Sequence, residues 1–137
     1  MSFRWREFEK RLFELEKEGY ELESVCEVDS AEIIGIHLGD KNGENRICVV
    51  GCQHGDEYQS AYGILEFCRK YKHDAHVFVI PVVDVKSFGG KRPTLFMDWF
   101  RWREMDINQF YPDKIPLTRE IFSVVKNFEF IIDSHMN

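Results

Sequence analysis

Phe8, Leu12 and Leu15 recur at helical spacing in a stretch otherwise rich in Arg, Glu and Lys, with Phe3 and Trp5 close by and Gly19 following as a stop. This predicts an amphipathic surface helix over residues 3–18 whose charges form a solvated face. Residues 22–28, 33–38 and 46–50 then read as strands. The segment D-K-N-G-E separates the last two, and Asn42-Gly43 predicts a positive-φ turn joining them as an antiparallel hairpin. From Tyr58 the period becomes helical again, through residue 71. Tyr62 and Leu65 point inward, Ile64 and Phe67 are further candidates for that face, and Arg69, Lys70 and Lys72 close the helix. Residues 77–83 are almost wholly apolar, as suits a central strand covered on both faces. Residues 84–115 lack periodicity and contain Gly89-Gly90, Pro93 and Pro112, a loop of about 30 residues, and loops of that length are usually functional or disordered. A helix over 117–126 and an apolar strand over 128–132 follow, the strand delivering Asp133-Ser134-His135 at its end.

Strand, helix, strand, loop, helix, strand is the rhythm of an α/β protein. A mixed, largely parallel sheet with flanking helices is expected, in a single domain spanning residues 1–137. A chain of 137 residues that is 44% hydrophobic can fill one core but not two. A net charge of -6 argues against a surface built for nucleic-acid phosphates or anionic membranes. No apolar run reaches the roughly 20 residues that span a bilayer, and the charged start MSFRWREFEKR is unlike a secretory signal, so the expected location is the cytoplasm. Cys26, Cys48, Cys52 and Cys68 form no C-x-x-C pair and are expected to be reduced core thiols.

Ligands of open parallel sheets gather at the carboxyl ends of strands, and both His54 and His135 follow directly after expected strands. In Gly51-Cys52-Gln53-His54-Gly55-Asp56-Glu57, a histidine and a carboxylate stand three positions apart where strand gives way to helix. That spacing lets both reach one ion, and His135 can complete a set of two nitrogens and a carboxylate with a fourth position open to water, an arrangement catalytic in character. H-x-x-E alone is weak, since such a pair is more often a salt bridge or a carboxylate at a helix start. His135 at a strand end strengthens it. The rival pair His73 and His76 lies at a turn with no third ligand in reach, and His37 reads as a hydrogen-bonded structural histidine.

With these residues placed, the chain resembles the zinc carboxypeptidases and the related succinylglutamate desuccinylase and aspartoacylase group over nearly its whole length. Gly-Cys-Gln-His54-Gly-Asp-Glu57 is similar to the family's G-x-H-G-x-E. The run from Val79 to Asp84 is similar to its P-x-x-N-P segment, Asp106 to Pro112 to its D-x-N-R-x-F-P, and Asp133-Ser134-His135 to its D-x-H. The resemblance implies one zinc ion per chain held by His54, Glu57 and His135. It also implies that Asp106 hydrogen-bonds a zinc histidine, that Asn108 helps hold a substrate carboxylate, and that Arg101 polarises the scissile carbonyl, with Arg103 competing for that assignment. A peptide or acyl-amino-acid substrate follows, cleaved at an amide bond by metal-activated water.

The sequence departs from the family at two points. Gln109 stands where the family has arginine, and a neutral amide cannot clamp a carboxylate as a guanidinium does. The family's general-base glutamate lies well beyond the third ligand, and this sequence stops two residues after His135. Glu104 and Asp133 are the internal substitutes, Glu104 in a charged loop and Asp133 where the family has a structural aspartate. The alternatives to a hydrolase are therefore a metal-binding or peptide-binding module that lacks the base, or a fragment of a longer or split enzyme. A bare terminal apolar strand invites pairing, so a homo-oligomer or a partner chain covering residues 128–132 is expected.

Overall fold

The computed structural model describes residues 3–28, 31–43, 46–90 and 116–135. In chain order the elements are α1 (Phe3–Lys17), β1 (Glu21–Val28), β2 (Ala31–Leu38), β3 (Arg46–Gly51), a 3₁₀ turn (Gly55–Glu57), α2 (Tyr58–Lys70), β4 (His76–Ile80), α3 (Pro116–Val125) and β5 (Phe130–Ser134). The five strands form one sheet in the order β1-β2-β4-β3-β5. β1 and β2 pair antiparallel, as do β2 and β4, whereas β3 pairs parallel with both β4 and β5. The α/β class and the parallel centre expected from the sequence are present.

The expected hairpin is not. β4 lies between β2 and β3, so these two strands never touch. The D-K-N-G segment does turn, with the Gly43 amide donating to the Asp40 carbonyl at 2.9 Å and the Asn42 amide to Asp40 Oδ1 at 2.9 Å. Gly43, however, lacks the positive φ that a two-residue hairpin loop requires. A strand buried on both faces wins the central position because more apolar surface leaves water there. All five residues of β4 are buried, and it takes the place beside β2 that local turn chemistry assigned to β3. β4 itself ends at Ile80, three residues earlier than its apolar run, and β5 begins two residues later than expected.

α1 buries Trp5, Phe8, Leu12 and Leu15, the stripe read from the sequence. Phe8 meets Tyr62 of α2 edge-on at 5.3 Å and Phe88 at 5.0 Å, so an aromatic cluster joins both helices to the segment after β4. α2 buries Ala61, Ile64, Leu65 and Cys68, Tyr62 is half-buried, and Phe67 is exposed. α3 packs against β1. The four cysteines are free thiols, three of them buried, and burial pushes Cys48 and Cys68 each up to about 12, as befits inert core side chains. Among the described residues, no helix is long and apolar enough to cross a membrane.

The amino-terminal end of β4 holds a polar group away from the chemistry expected at the carboxyl ends. His37 Nε2 lies 2.6 Å from Glu23 Oε2, and His37 Nδ1 lies 3.1 Å from His76 Nε2. The two rings are near-parallel at 10° with centroids 5.4 Å apart, so they meet edge to edge through their nitrogens. His73 is exposed and stays outside this chain of bonds, so the His73 and His76 pair weighed from the sequence does not form. His37 is the hydrogen-bonded structural histidine expected. Because a carboxylate only accepts, His37 donates from Nε2 and accepts from His76 at Nδ1. That leaves His76 Nδ1 as a buried acceptor without a partner, and any added proton creates a buried, unbonded N–H.

Two measurements follow from this packing. Burial holds His76 below its ordinary value of 6.5, and the neighbouring His37, Lys41 and Arg46 push it the same way. The unfolded chain therefore binds the proton first as pH falls, and the stability His76 contributes above pH 6.5 is lost below it. Urea denaturation between pH 7.5 and 5.5 is expected to show this acid-side fall in the wild type and a smaller one in His76→Phe. The second contrast lies on α1, where Leu12 is 1% exposed and Phe13 is 39% exposed. Leu12→Ala is expected to cost about 2–5 kcal/mol and Phe13→Ala less than about 1 kcal/mol in the same assay.

Candidate metal centre

The parallel register of β3 and β5 decides which side chains meet. Val50 faces Asp133 and Gly51 faces Ser134, so the segment after β3 and the end of β5 emerge side by side at the carboxyl edge of the sheet. The chain leaves β3 through Cys52, whose φ of 44° is left-handed and strained for a residue with a Cβ. Its carbonyl accepts from the amides of Val83 (3.3 Å) and Asp84 (3.2 Å), and its thiol donates to the His54 carbonyl at 3.3 Å. These bonds hold the kink in place. Gly55 comes next, and a Cβ there would overlap the Ser87 carbonyl, so only glycine lets the segment after β4 close over this turn.

His54, Glu57 and His135 are brought together as the sequence spacing predicts. His54 Nδ1 and His135 Nδ1 each lie 3.0 Å from the same oxygen, Glu57 Oε1. The three potential ligand atoms all fall within 4.8 Å of one another. The second carboxylate oxygen of Glu57 accepts from the His54 amide at 3.4 Å. His54 is 1% and Glu57 2% exposed, whereas the side chain of His135 is 28% exposed, so the group opens to solvent on the β5 side. Among the described residues this is the one cluster of three His, Cys, Asp or Glu side chains with such convergence.

The electrostatics fit a cation. Burial pushes the Glu57 carboxyl up, but the hydrogen bonds from His135 and His54 and their charges outweigh it, so the group titrates below its ordinary value. Burial alone would lower His135, yet Glu57 and Asp133 hold it above its ordinary value. Glu57 also stands as the N-cap of α2, where the helix dipole favours a negative charge. Two imidazole nitrogens and one carboxylate oxygen, all convergent, form the donor set that suits zinc.

The sequence reading missed the support around this group. Asp133 Oδ2 lies 3.0 Å from His135 Nε2, and Asp133 Oδ1 accepts from Gln53 Nε2 at 2.5 Å. The i,i+2 spacing of Asp133 and His135, and the resemblance of Asp133 to a structural aspartate, hinted at the first contact, and nothing in the sequence pointed to Gln53. Arg101, Arg103, Glu104, Asp106, Asn108 and Gln109 lie outside the described residues, so their expected roles remain with the sequence.

No protein-family model and no curated relative matches the chain. Solved structures do match in fold. The structure of bovine thrombin-activatable fibrinolysis inhibitor in complex with tick carboxypeptidase inhibitor is similar over 99% of this chain and 62% of its own, with a TM-score of 0.73 at 9% identity. A metallo-carboxypeptidase from Burkholderia cenocepacia is similar over 86% of this chain and 36% of its own, with a TM-score of 0.65 at 12% identity. An aspartoacylase family protein from Mesorhizobium loti is similar over 77% of this chain and 35% of its own, with a TM-score of 0.56 at 13% identity. The chain thus spans between about a third and three fifths of the length of these structures, and over that span it has the carboxypeptidase-like fold they share.

Proposed function

We propose that the protein is a zinc-dependent hydrolase that cleaves an amide bond in a peptide or an acyl-amino acid, with His54, Glu57 and His135 as the metal ligands. The observation that carries this reading is the convergence of both Nδ1 atoms on Glu57 Oε1 at 3.0 Å, at the carboxyl end of a parallel sheet whose fold metallo-carboxypeptidase structures share. A bound zinc ion supplies Lewis-acid polarisation of a carbonyl and acidification of a water toward a pKa of ~7. The chain's own residues prepare for it. Glu57, ionised and buried, provides the negative charge that makes a cation favourable there, and His54 is locked by the kink at Cys52. His135, on the exposed side, borders the face from which substrate enters. Arg101 is the proposed partner of the scissile carbonyl, Asp106 the partner of a zinc histidine, and Asn108, Gln109 and Arg103 the proposed contacts to the substrate's polar end.

A second reading draws on Gln109. Position 109, a glutamine, offers no charge-assisted clamp for a terminal carboxylate, which favours a site that holds metal and ligand without peptidase turnover.

Assembly belongs to the same reading. Among the described residues β5 has no partner strand on one edge, and Phe130, Ile131 and Ile132 are 59%, 54% and 53% exposed, on both of its faces. We propose that a second copy of the chain pairs with this edge, since a two-fold pairing would cover both strands at once.

The expected outcomes are these. Purified protein binds about one zinc per chain by elemental analysis, and His54→Ala weakens zinc binding by more than about 100-fold in chelator competition. Protein that neither carries nor gains zinc excludes the reading. Hydrolysis of acyl-amino acids or peptides separates the first reading from the second. Light scattering is expected to give a mass above that of one chain, reduced to one chain by Ile131→Lys.

A further inference from the structure

We propose that Gln53 is a positioning residue for the metal centre: its amide holds Asp133, and Asp133 fixes the His135 imidazole so that Nδ1 is presented beside Glu57. This rests on the metal-site reading above. The chain of contacts is continuous, from Gln53 Nε2 to Asp133 Oδ1 at 2.5 Å, Asp133 Oδ2 to His135 Nε2 at 3.0 Å, and His135 Nδ1 to Glu57 Oε1 at 3.0 Å.

Donor and acceptor chemistry fixes the direction of each link. A carboxylate only accepts, so the atom of Gln53 that faces Asp133 is the NH₂ group and the proton between Asp133 and His135 sits on Nε2. The same rule puts a proton on Nδ1 where it meets Glu57, and with Nε2 held by Asp133 it is this Nδ1 proton that a cation would replace. The bond between Asp133 and His135 cannot do this unaided. Asp133 is 46% and His135 28% exposed on their side chains, and ion pairs open to water hold their geometry weakly. Gln53 is 5% exposed, so it holds one carboxylate oxygen from the buried side and leaves the other aimed at the ring.

A second observation sets Gln53 apart from a residue kept for packing. Its Oε1 is buried and has no hydrogen-bond partner among the described residues. An unbonded buried acceptor is destabilising, and an apolar side chain of similar size would avoid it. The fold alone therefore gives no reason for an amide here, whereas orienting Asp133 requires one. Nothing in the G-x-H-G-x-E pattern specifies this residue, since Gln53 falls on one of its two variable positions.

The test measures zinc dissociation constants by chelator competition for the wild type, Gln53→Met, Asp133→Ala and the double variant, with circular dichroism to confirm folding. Each single variant is expected to weaken zinc binding about 10- to 100-fold, and the double variant to bind no more weakly than Asp133→Ala, because Gln53 acts through Asp133. Equal affinity for Gln53→Met and wild type, or effects that multiply in the double variant, overturns the proposal. If Gln53→Met does not fold, Gln53→Glu, which sets a carboxylate against Asp133, is expected to give the same loss. A second readout is the His135 Nε2–H proton resonance, expected to be protected from solvent exchange in the wild type and to lose that protection in the Gln53 variant. Because this resonance is read in zinc-free protein as well, a wild type that binds no zinc sinks the metal-site reading, and the resonance still decides the role of Gln53.

Discussion

The ladder between β3 and β5 is the constraint on which the candidate site depends. These strands lie far apart in the sequence, with α2, β4 and α3 between them, and they pair in parallel from Ile47 with Phe130 to Gly51 with Ser134. Side chains alternate along a strand, so a register shifted by one residue would send Asp133 and Ser134 to the other face. His135 would then leave Glu57. The site exists because a parallel sheet brings the carboxyl ends of both strands to one edge, where each releases a histidine.

Burial of the Glu57 carboxylate is the second constraint, and it follows from the first. A charged group at 2% exposure is tolerated only if it is paired and hydrogen-bonded. Glu57 has two imidazoles on one oxygen, a backbone amide on the other and the start of α2 beneath it. A buried ion pair of this kind is poor evidence of stability by itself, because the desolvation of its members offsets most of their attraction. What it does provide is a fixed negative pole in a place of low dielectric, where a cation gains more than it would in water. The strained Cys52 and the tight approach of Gly55 to Ser87 point the same way, since strain persists where the surrounding structure holds it for a site.

The sequence made the elements legible where their period was strong. The stripe of α1, the helix after the H-x-x-E segment and the all-apolar β4 could be read because burial imposes 3.6-residue spacing on helices and continuous hydrophobicity on central strands. The three site residues could be read because His54 and His135 follow strands and Glu57 stands three positions after His54. Strand order was not legible, because Asn42-Gly43 reports local turn preference whereas the neighbours of β3 are set by which surfaces exclude water best. Gln53 was hidden for a related reason. Its role depends on Asp133, 80 positions away, and no local pattern encodes a contact across that separation.

Two imidazole–carboxylate groups sit on this sheet, and their geometries explain why only one suits a metal. At the amino end of β4, Glu23, His37 and His76 bond in a line, His37 through both of its nitrogens and His76 through Nε2 alone, so no three ligand atoms face a common point. Lys41 and Arg46 add positive charge to His76, which opposes a cation. At the carboxyl end of β3 and β5, two rings instead turn the same nitrogen toward a single oxygen, and the far nitrogen of His135 is held from behind. A line of hydrogen bonds can be completed by protons alone. Two donors aimed at one acceptor oxygen crowd their protons together, and replacing those protons by a single divalent cation relieves that crowding while keeping every ligand in place.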